Sequence, residues 1–309
     1  MISFSCGEII LFFFSKPPIL RSIASLKSST WAIAIQAAAA VILAISIYIG
    51  NELPGAVVAY QIGFVFFLAP YAIISQSFAT VVLPDISVQA AKTESQEHMD
   101  LFESNVEKTF AWTYIPLSLI SAFVISIALP LSNLISIGEA KNGTKLFELV
   151  LVALFAGLLP YGLFQTAARI FFAKANVKVP ALVVLLFSII ISGFAIVITK
   201  SSSTINTVTI MGLTHTVVYL LAAIVLILLL LKQGLNALPN RISLLTTGLS
   251  LLIAPLGYWV TSAIDPSGKF VSLLYVAIVG VVFVVIGYTV TPKLQRQNAI
   301  GMVRKKLHV

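Results

Sequence analysis

Eight apolar windows, each long enough to cross a membrane as a helix, constrain this chain more than any other feature of its sequence. A hydrocarbon core about 30 Å thick is crossed by about 20 helical residues. The windows are continuous apolar runs without the alternation of a barrel strand, so we expect helices. They are Trp31–Gly50, Val57–Leu83, Phe110–Ile137, Leu146–Phe172, Val179–Thr199, Ile205–Leu231, Ile242–Ile264 and Phe270–Thr291.

The composition excludes a soluble domain. Hydrophobic residues make up 59% of the 309 residues and charged residues 10%, and the mean hydropathy is +1.04. A soluble domain with this balance would expose a largely apolar surface to water. The sequence therefore predicts an all-α fold, a polytopic membrane helix bundle of about eight transmembrane helices.

Lys and Arg are distributed unevenly between the two sides of such a bundle. All but four of the 19 fall on one side, the exceptions being Lys141, Lys145, Lys200 and Lys269. The positive-inside rule places the basic side, and with it both termini, in the cytoplasm. The same excess accounts for the net charge of +8 and predicts contact with anionic membrane lipids. No basic, aromatic-bearing soluble module indicates nucleic-acid binding.

Charged and titratable residues inside the windows are rare, and each has two interpretations. Arg169, near the cytoplasmic end of the fourth window, is either a snorkelling side chain or a functional cation. His215, in the sixth window, is either a proton relay or a neutral histidine bonded to a neighbouring helix. A cation antiporter would be favoured by a carboxylate inside a span, and we expect none in these windows. The stretch Asp85–Lys108 carries acidic residues and His98, and is predicted to be a solvated cytoplasmic helical connector.

Uncharged polar residues and helix breakers collect in the second and fourth windows. Pro70 is expected to kink the second span, and Pro160, with Gly157 and Gly162 beside it, the fourth. Kinked helices that carry amides and hydroxyls suit the wall of a transport cavity, although polar side chains also join helices to one another. The polar cavity candidates in these windows, apart from Arg169, are Tyr60, Gln61, Gln76 and Gln165.

Enzymatic chemistry has little support in this sequence. The motifs of nucleophilic triads, zinc proteases and phosphate-binding loops are absent, and Cys6 is the single cysteine. We therefore expect no catalytic residue, no metal and no cofactor.

Two stretches of the chain carry a recognisable pattern. The first opens with Gly55-Ala56-Val57, passes through Pro70-Tyr71 and closes with Ala79-Thr80-Val81-Val82-Leu83-Pro84. The second runs from Ala168-Arg169-Ile170-Phe171-Phe172-Ala173 through a basic loop to Pro180. In order and spacing, both stretches resemble the MurJ/MviN family, the lipid II flippases of the multidrug/oligosaccharidyl-lipid/polysaccharide exporter superfamily.

The resemblance implies a division of the chain and a mechanism. Family members usually have fourteen spans, and these eight resemble the second six-helix lobe, 31–232, followed by two additional helices, 233–291. The flanking parts would be a cytoplasmic or interfacial segment, 1–30, and a basic cytoplasmic tail, 292–309. The implied activity is flipping of lipid II across the bacterial cytoplasmic membrane by alternating access. The ligand would be a lipid-linked oligosaccharide diphosphate in a cationic cavity that Arg169 helps to form, with a groove for its tail on the two additional helices.

The chain departs from the family pattern at two positions, and other functions stay open. Phe64-Val65 stands where the family commonly has Asp-Arg, and Gln165 where a basic residue is frequent. Two-repeat transport needs a first lobe, so we expect an N-terminal-lobe partner chain or a longer reading frame. The alternatives are another exporter of the superfamily, moving lipid-linked polysaccharide or exchanging drugs for cations, and a non-transporting membrane scaffold or truncated half.

Overall fold

The described part of the chain is mostly helical and contains no strand. The computed structural model describes residues 19–91, 96–135, 143–200, 202–266 and 268–290, and side chains for these except 19–29, 75–81, 204–205 and 290. Most of the N-terminal segment and all of the basic tail lie outside the described residues. The helices are α1 Ile19–Gly50, α2 Ala56–Tyr71, α3 Ser77–Ala91, α4 Gln96–Ser126, α5 Ala128–Ile135, α6 Thr144–Phe155, α7 Leu158–Ala173, α8 Lys178–Thr199, α9 Thr204–Lys232, α10 Arg241–Ile264 and α11 Lys269–Val290.

The eight predicted spans are confirmed, together with the all-α fold class. The described residues contain eight helical stretches long and apolar enough to cross a membrane. Six of them are α1, α2, α4, α8, α9 and α10, another combines α6 and α7, and the last is α11. The chain is therefore a multi-pass membrane protein.

The connector between the second and third spans is largely helical. Helix α3 continues to Ala91, and α4 begins at Gln96 and runs for 31 residues, about 46 Å. That length exceeds the hydrocarbon thickness, so α4 extends well beyond it. Asn105 donates to Gln89 at 2.9 Å and ties this extension to α3.

The third window ends earlier than its apolar composition predicts. Helix α4 stops at Ser126, and the short helix α5 follows after Ile127. Pro130 has no N–H, so it cannot form the helical hydrogen bond to the Ser126 carbonyl four residues earlier. The hydroxyl of Thr261, on α10, lies 2.7 Å from that carbonyl and serves as its donor.

Packing differs sharply between the first six spans and the last two helices. Two clusters of buried apolar side chains fill the first six spans, one centred on Phe110, Phe164 and Phe171 and the other on Phe67 and Leu151. Helix α10 packs most extensively on α4, whereas α11 lies against α4 and α5 and leaves most of its surface exposed. Such a surface suits lipid, because its exposed residues are apolar.

Candidate functional site

The fourth span is interrupted at its middle, where Gly157 separates α6 from α7. A Cβ on Gly157 would lie 2.4 Å from the Thr216 hydroxyl and 2.9 Å from its Cα, so glycine is required for this close approach to α9. Pro160 follows, and it leaves the Ala156 carbonyl without its helical donor. A Cβ on Gly162 would meet the Leu117 side chain of α4 at 2.1 Å.

Hydroxyl groups of neighbouring helices donate to two carbonyl groups beside this interruption. The Thr216 hydroxyl donates to the Ala153 carbonyl at 2.7 Å, and the Ser121 hydroxyl of α4 donates to the Phe155 carbonyl at 2.6 Å. Backbone groups in the hydrocarbon region have no water to bond, so hydroxyl donors make a broken helix tolerable there. We call this interruption at Gly157 the joint of the fourth span, and hydroxyl groups of α4 and α9 hold it in place.

The second span changes its helical pitch directly after Pro70. A π-helical segment, Ala72–Gln76, joins α2 to α3. Single π-helical turns recur at functional sites because they displace the side chains that follow. Gln76 ends this segment, and its side chain lies outside the described residues.

Arg169 lies in the last turns of α7 and contacts the end of α2. Its Nη2 donates to the Tyr71 hydroxyl at 3.0 Å, and its guanidinium carbon lies 6.0 Å from the centre of the Tyr71 ring. Arg169 is half-buried, whereas Tyr71 is 5% exposed. Gln165, one turn earlier on the same face, is also half-buried and interacts with Tyr161. The structure therefore brings Arg169 and Tyr71 together, with Gln165 one helical turn away beside Tyr161.

An aromatic cluster backs Tyr71 and encloses His215. The Tyr71 and Tyr161 rings are 4.7 Å apart, and Tyr161 lies 4.8 Å from Tyr219. His215 is 3% exposed, packs 4.6 Å from Tyr219 and 4.8 Å from Phe67, and has no hydrogen-bond partner at Nδ1. These contacts make His215 part of a packed aromatic core beneath Arg169.

The other two polar candidates of the second span point in different directions. Tyr60 is fully buried, and its hydroxyl has no hydrogen-bond partner. Gln61 is exposed, in line with Val58 and Val65, which are 59% and 68% exposed. Adjacent helical residues are about 100° apart, so the two side chains cannot line one wall. The structure therefore does not place the Tyr60 and Gln61 side chains on one surface of the helix.

The expectation of no carboxylate inside the spans is wrong. Glu148, in the second turn of α6, belongs to the fourth window and is 1% exposed. Lys145, one turn earlier, forms an ion pair with it at 3.0 Å, and the Tyr258 hydroxyl of α10 donates to the same carboxylate oxygen at 2.5 Å. The Lys145–Glu148 spacing, which puts opposite charges on one helix face, could have revealed this site. Tyr258 could not be assigned from any local signal.

The loop after α7 adds a cationic contact on the side predicted to be cytoplasmic. Lys174 donates to the Gln233 side chain at 2.5 Å and so ties the end of α7 to the segment after α9. Partial burial desolvates its ammonium group and lowers the pKa of Lys174 below its ordinary value.

Two grooves flank the last two helices. One, of about 490 Å³, lies between α4 and α11 and is almost entirely apolar, with Trp112, Phe123 and Phe283 in its walls. The other, of about 510 Å³, lies between α10 and the joint in the fourth span. Thr247 and Ser250 line this second groove, and their buried hydroxyls have no hydrogen-bond partner.

Comparison with known proteins agrees with the two motif stretches. The model of the family described as Lipid II flippase MurJ matches residues 3–279, which confirms the resemblance. No curated protein and no solved structure matches the chain.

Proposed function

Because the chain belongs to the lipid II flippase MurJ family, we propose that it takes part in moving lipid II, a lipid-linked peptidoglycan precursor, across the bacterial cytoplasmic membrane. The family is one of transporters, and the eight apolar helices make this chain a multi-pass membrane protein. In this proposal both termini are cytoplasmic, the chain acts by alternating access, and it catalyses no covalent chemistry.

The contact between Arg169 and Tyr71 is the observation that carries this proposal. A guanidinium presents a planar fork of donors that matches phosphate oxygens, and it stays protonated at any physiological pH. The Tyr71 hydroxyl holds that fork at 3.0 Å, and Gln165 adds an amide on the same face of α7. We assign the diphosphate of the lipid-linked substrate to this group of side chains.

The apolar groove between α4 and α11 suits the hydrocarbon tail of the same substrate. Its volume is about 490 Å³, and its walls carry aromatic and aliphatic side chains. Gly280 and Gly287 lie seven residues apart on α11, where they leave room in the groove. An apolar chain in this groove would bury surface that otherwise faces bulk lipid.

A first lobe completes the transport cavity in this proposal. Transporters of this kind bind substrate between two repeats that rock against each other. The exposed face of α2 that carries Val58, Gln61 and Val65 is available for such a partner, which we place on another polypeptide or another chain segment. The joints at Pro70 and at Gly157, Pro160 and Gly162 would absorb the rocking.

Complementation tests the proposal. In cells depleted of their own flippase, the chain together with a matching first lobe should restore lipid II at the outer surface. Arg169→Ala should lower surface lipid II at an unchanged membrane level, and Arg169→Lys, which keeps the charge without the fork, should restore it in part. Arg241→Ala, at an exposed arginine of α10, is the matched control and should have no effect. Lipid II that stays cytoplasmic with both halves folded contradicts the proposal and leaves a scaffold role.

Glu148 favours a second candidate function, export of another lipid-linked sugar or of a drug in exchange for cations. A carboxylate inside a span is the group that such antiport requires, and Glu148 is buried in α6. Vesicles with an imposed cation gradient separate the two functions. Efflux that follows the gradient and is lost in Glu148→Gln supports antiport, whereas gradient-independent lipid II movement supports the first proposal.

A further inference from the structure

The second groove, between α10 and the joint of the fourth span, contains polar groups that the protein leaves unused. The Ser250 side chain is 4% exposed, and its hydroxyl has no hydrogen-bond partner among the described residues. The buried hydroxyl of Thr247 has none there either, and both residues line the groove. Burying a hydroxyl without a hydrogen bond is unfavourable, so the pair indicates a bound molecule with hydrogen-bonding atoms.

These two hydroxyls differ from a third one on the same turn of α10. Serine and threonine hydroxyls inside a helix commonly donate to the carbonyl four residues earlier. Thr246 does so, to the Ile242 carbonyl at 2.8 Å. Thr247 and Ser250 make no such bond in the structure. Their hydroxyls therefore keep their full capacity for hydrogen bonds to a molecule in the groove.

Two prolines add hydrogen-bond acceptors beside the same groove. Pro160 lacks the N–H that would bond the Ala156 carbonyl in a regular helix. Pro255 likewise lacks the N–H that would bond the Leu251 carbonyl. All four residues line the groove. Backbone groups freed in this way inside a membrane need another partner, because hydrocarbon offers none. The groove thus combines two hydroxyl donors with two backbone acceptors.

The remaining walls of the groove are apolar, and the groove opens to the lipid around the bundle. None of the described residues that line it is charged. Leu220 and Leu251, which line it, are 41% and 70% exposed. Its volume of about 510 Å³ lies within the range of small-molecule sites, about 300–1,000 Å³. A ligand of this groove therefore enters from the hydrocarbon of the membrane.

The depth of the groove excludes a charged lipid head. Ser250 lies in the third turn of α10, about 14 Å along the helix from its start at Arg241. The hydrocarbon core is about 30 Å thick, so Ser250 lies near its middle. A phosphate or an ammonium group is costly at that depth, whereas a hydroxyl or an ester is tolerated once it is hydrogen-bonded.

We propose that the second groove binds an uncharged lipid alcohol of the diacylglycerol type. The Thr247 and Ser250 hydroxyls donate to its ester oxygens, and its own hydroxyl donates to a carbonyl that a proline has freed. A lipid with two esters fits better than a simple alcohol, because two protein donors need two acceptors beside one hydroxyl. The acyl chains lie along the apolar walls, and the bound lipid braces α10 against the joint.

Photolabelling tests this site on the full chain in nanodiscs of phosphatidylcholine. The probe is a diacylglycerol with a diazirine in one acyl chain, and mass spectrometry locates the label. The label should attach at residues 156–160 and 247–255. Unlabelled diacylglycerol should compete with the probe. Phosphatidic acid, which has the same chains and a charged head, should not.

The variant Thr247→Val with Ser250→Ala nearly keeps the shape of the groove and removes both hydroxyls. Loss of two hydrogen bonds of ordinary strength should raise the half-saturating mole fraction of the probe about tenfold. Thr246→Val is the matched control, because the Thr246 hydroxyl is satisfied within α10, and it should leave half-saturation unchanged. Equal half-saturation in the double variant and the wild type, or label confined to other segments, overturns the proposal.

Thermal unfolding gives a second readout and shows whether the double variant folds. Without diacylglycerol the double variant should unfold at the wild-type temperature or above it, since it lacks two unpaired buried hydroxyls. Diacylglycerol should raise the midpoint of the wild type and of Thr246→Val, and that of the double variant much less. No shift in the wild type overturns the proposal and leaves water as the partner of these hydroxyls. Because lipid II is absent, every result leaves the transport proposal untouched.

Discussion

Arg169 and Glu148 occupy opposite ends of the interrupted fourth span, and a tyrosine from another helix holds each of them. Arg169 donates to Tyr71 at 3.0 Å, and Tyr258 donates to Glu148 at 2.5 Å. The two sites differ in the sign of the charge and in burial. Glu148 is 1% exposed and has the Lys145 ammonium at 3.0 Å, whereas Arg169 is half-buried against the Tyr71 ring. A fully buried carboxylate paired within the protein suits a structural contact, and a half-buried guanidinium suits a contact with an anionic ligand.

The separation of the two sites adds to this contrast. They are 21 residues apart along α6 and α7, which corresponds to about 30 Å of helix and so to about one hydrocarbon thickness. Gly157 interrupts the span between them. A motion at this joint would move the two ends relative to each other, so the joint is the element through which the sites could communicate.

The largest expected effect on stability is that of replacing Lys145, the counter-charge of Glu148. Lys145→Met leaves the buried carboxylate with Tyr258 alone, and breaking a buried ion pair from one side typically costs about 3 kcal/mol. Glu148→Gln should cost less, because the Lys145 left behind is 57% exposed and can be hydrated. Thermal unfolding in nanodiscs measures both, with Lys200→Met, at an exposed lysine, as the control. Equal midpoints for Lys145→Met and Lys200→Met would show that Lys145 does not stabilise the buried carboxylate.

The joint between the two sites is the next position to test. Gly157→Ala forces a Cβ against the Thr216 backbone, and overpacking of this kind costs about 2 kcal/mol. Gly193→Ala, in the middle of α8, is the matched control because a Cβ there meets nothing within 4 Å. That control should be neutral or slightly stabilising, since alanine favours a helix. If both variants unfold at the same temperature, the contact between α6–α7 and α9 is looser than this packing requires.

The support of Arg169 is expected to matter less for stability than for transport. Tyr71→Phe keeps the ring but removes the hydroxyl that accepts from Arg169, and a hydrogen bond to a charged group is worth about 1.5 kcal/mol. Surface lipid II in the complementation assay should fall because the guanidinium loses its fixed orientation. Tyr48→Phe, at a side chain that is 64% exposed, should leave both readouts unchanged. A stability loss without any loss of transport would show that the Tyr71 hydroxyl has a structural role only.

Sequence patterns predicted the helices of this protein well, whereas they did not reveal which side chains pair across helices at its candidate sites. Apolar run length identifies all eight spans because hydrocarbon thickness sets that length directly. Glycine and proline marked the place where the fourth span is interrupted. The contact of Tyr258 with Glu148 joins residues 110 positions apart, and no local pattern encodes such a pairing. Tyr60 and Gln61 were expected in one cavity wall, but helix packing decided which of them faces inward.

The smallest expected effect concerns the hydroxyl groups that hold the joint, whose role local sequence does not reveal. Ser121→Ala removes the donor to the Phe155 carbonyl, and an unsatisfied buried carbonyl costs about 1 kcal/mol. Ser262→Ala is the matched control, because Ser262 is exposed and bonds within its own helix, to the Tyr258 carbonyl. The unfolding midpoint should fall for Ser121→Ala alone. If it does not fall, water or a lipid group reaches the Phe155 carbonyl. The joint would then be a polar opening between the Arg169 and Glu148 ends rather than a sealed hinge.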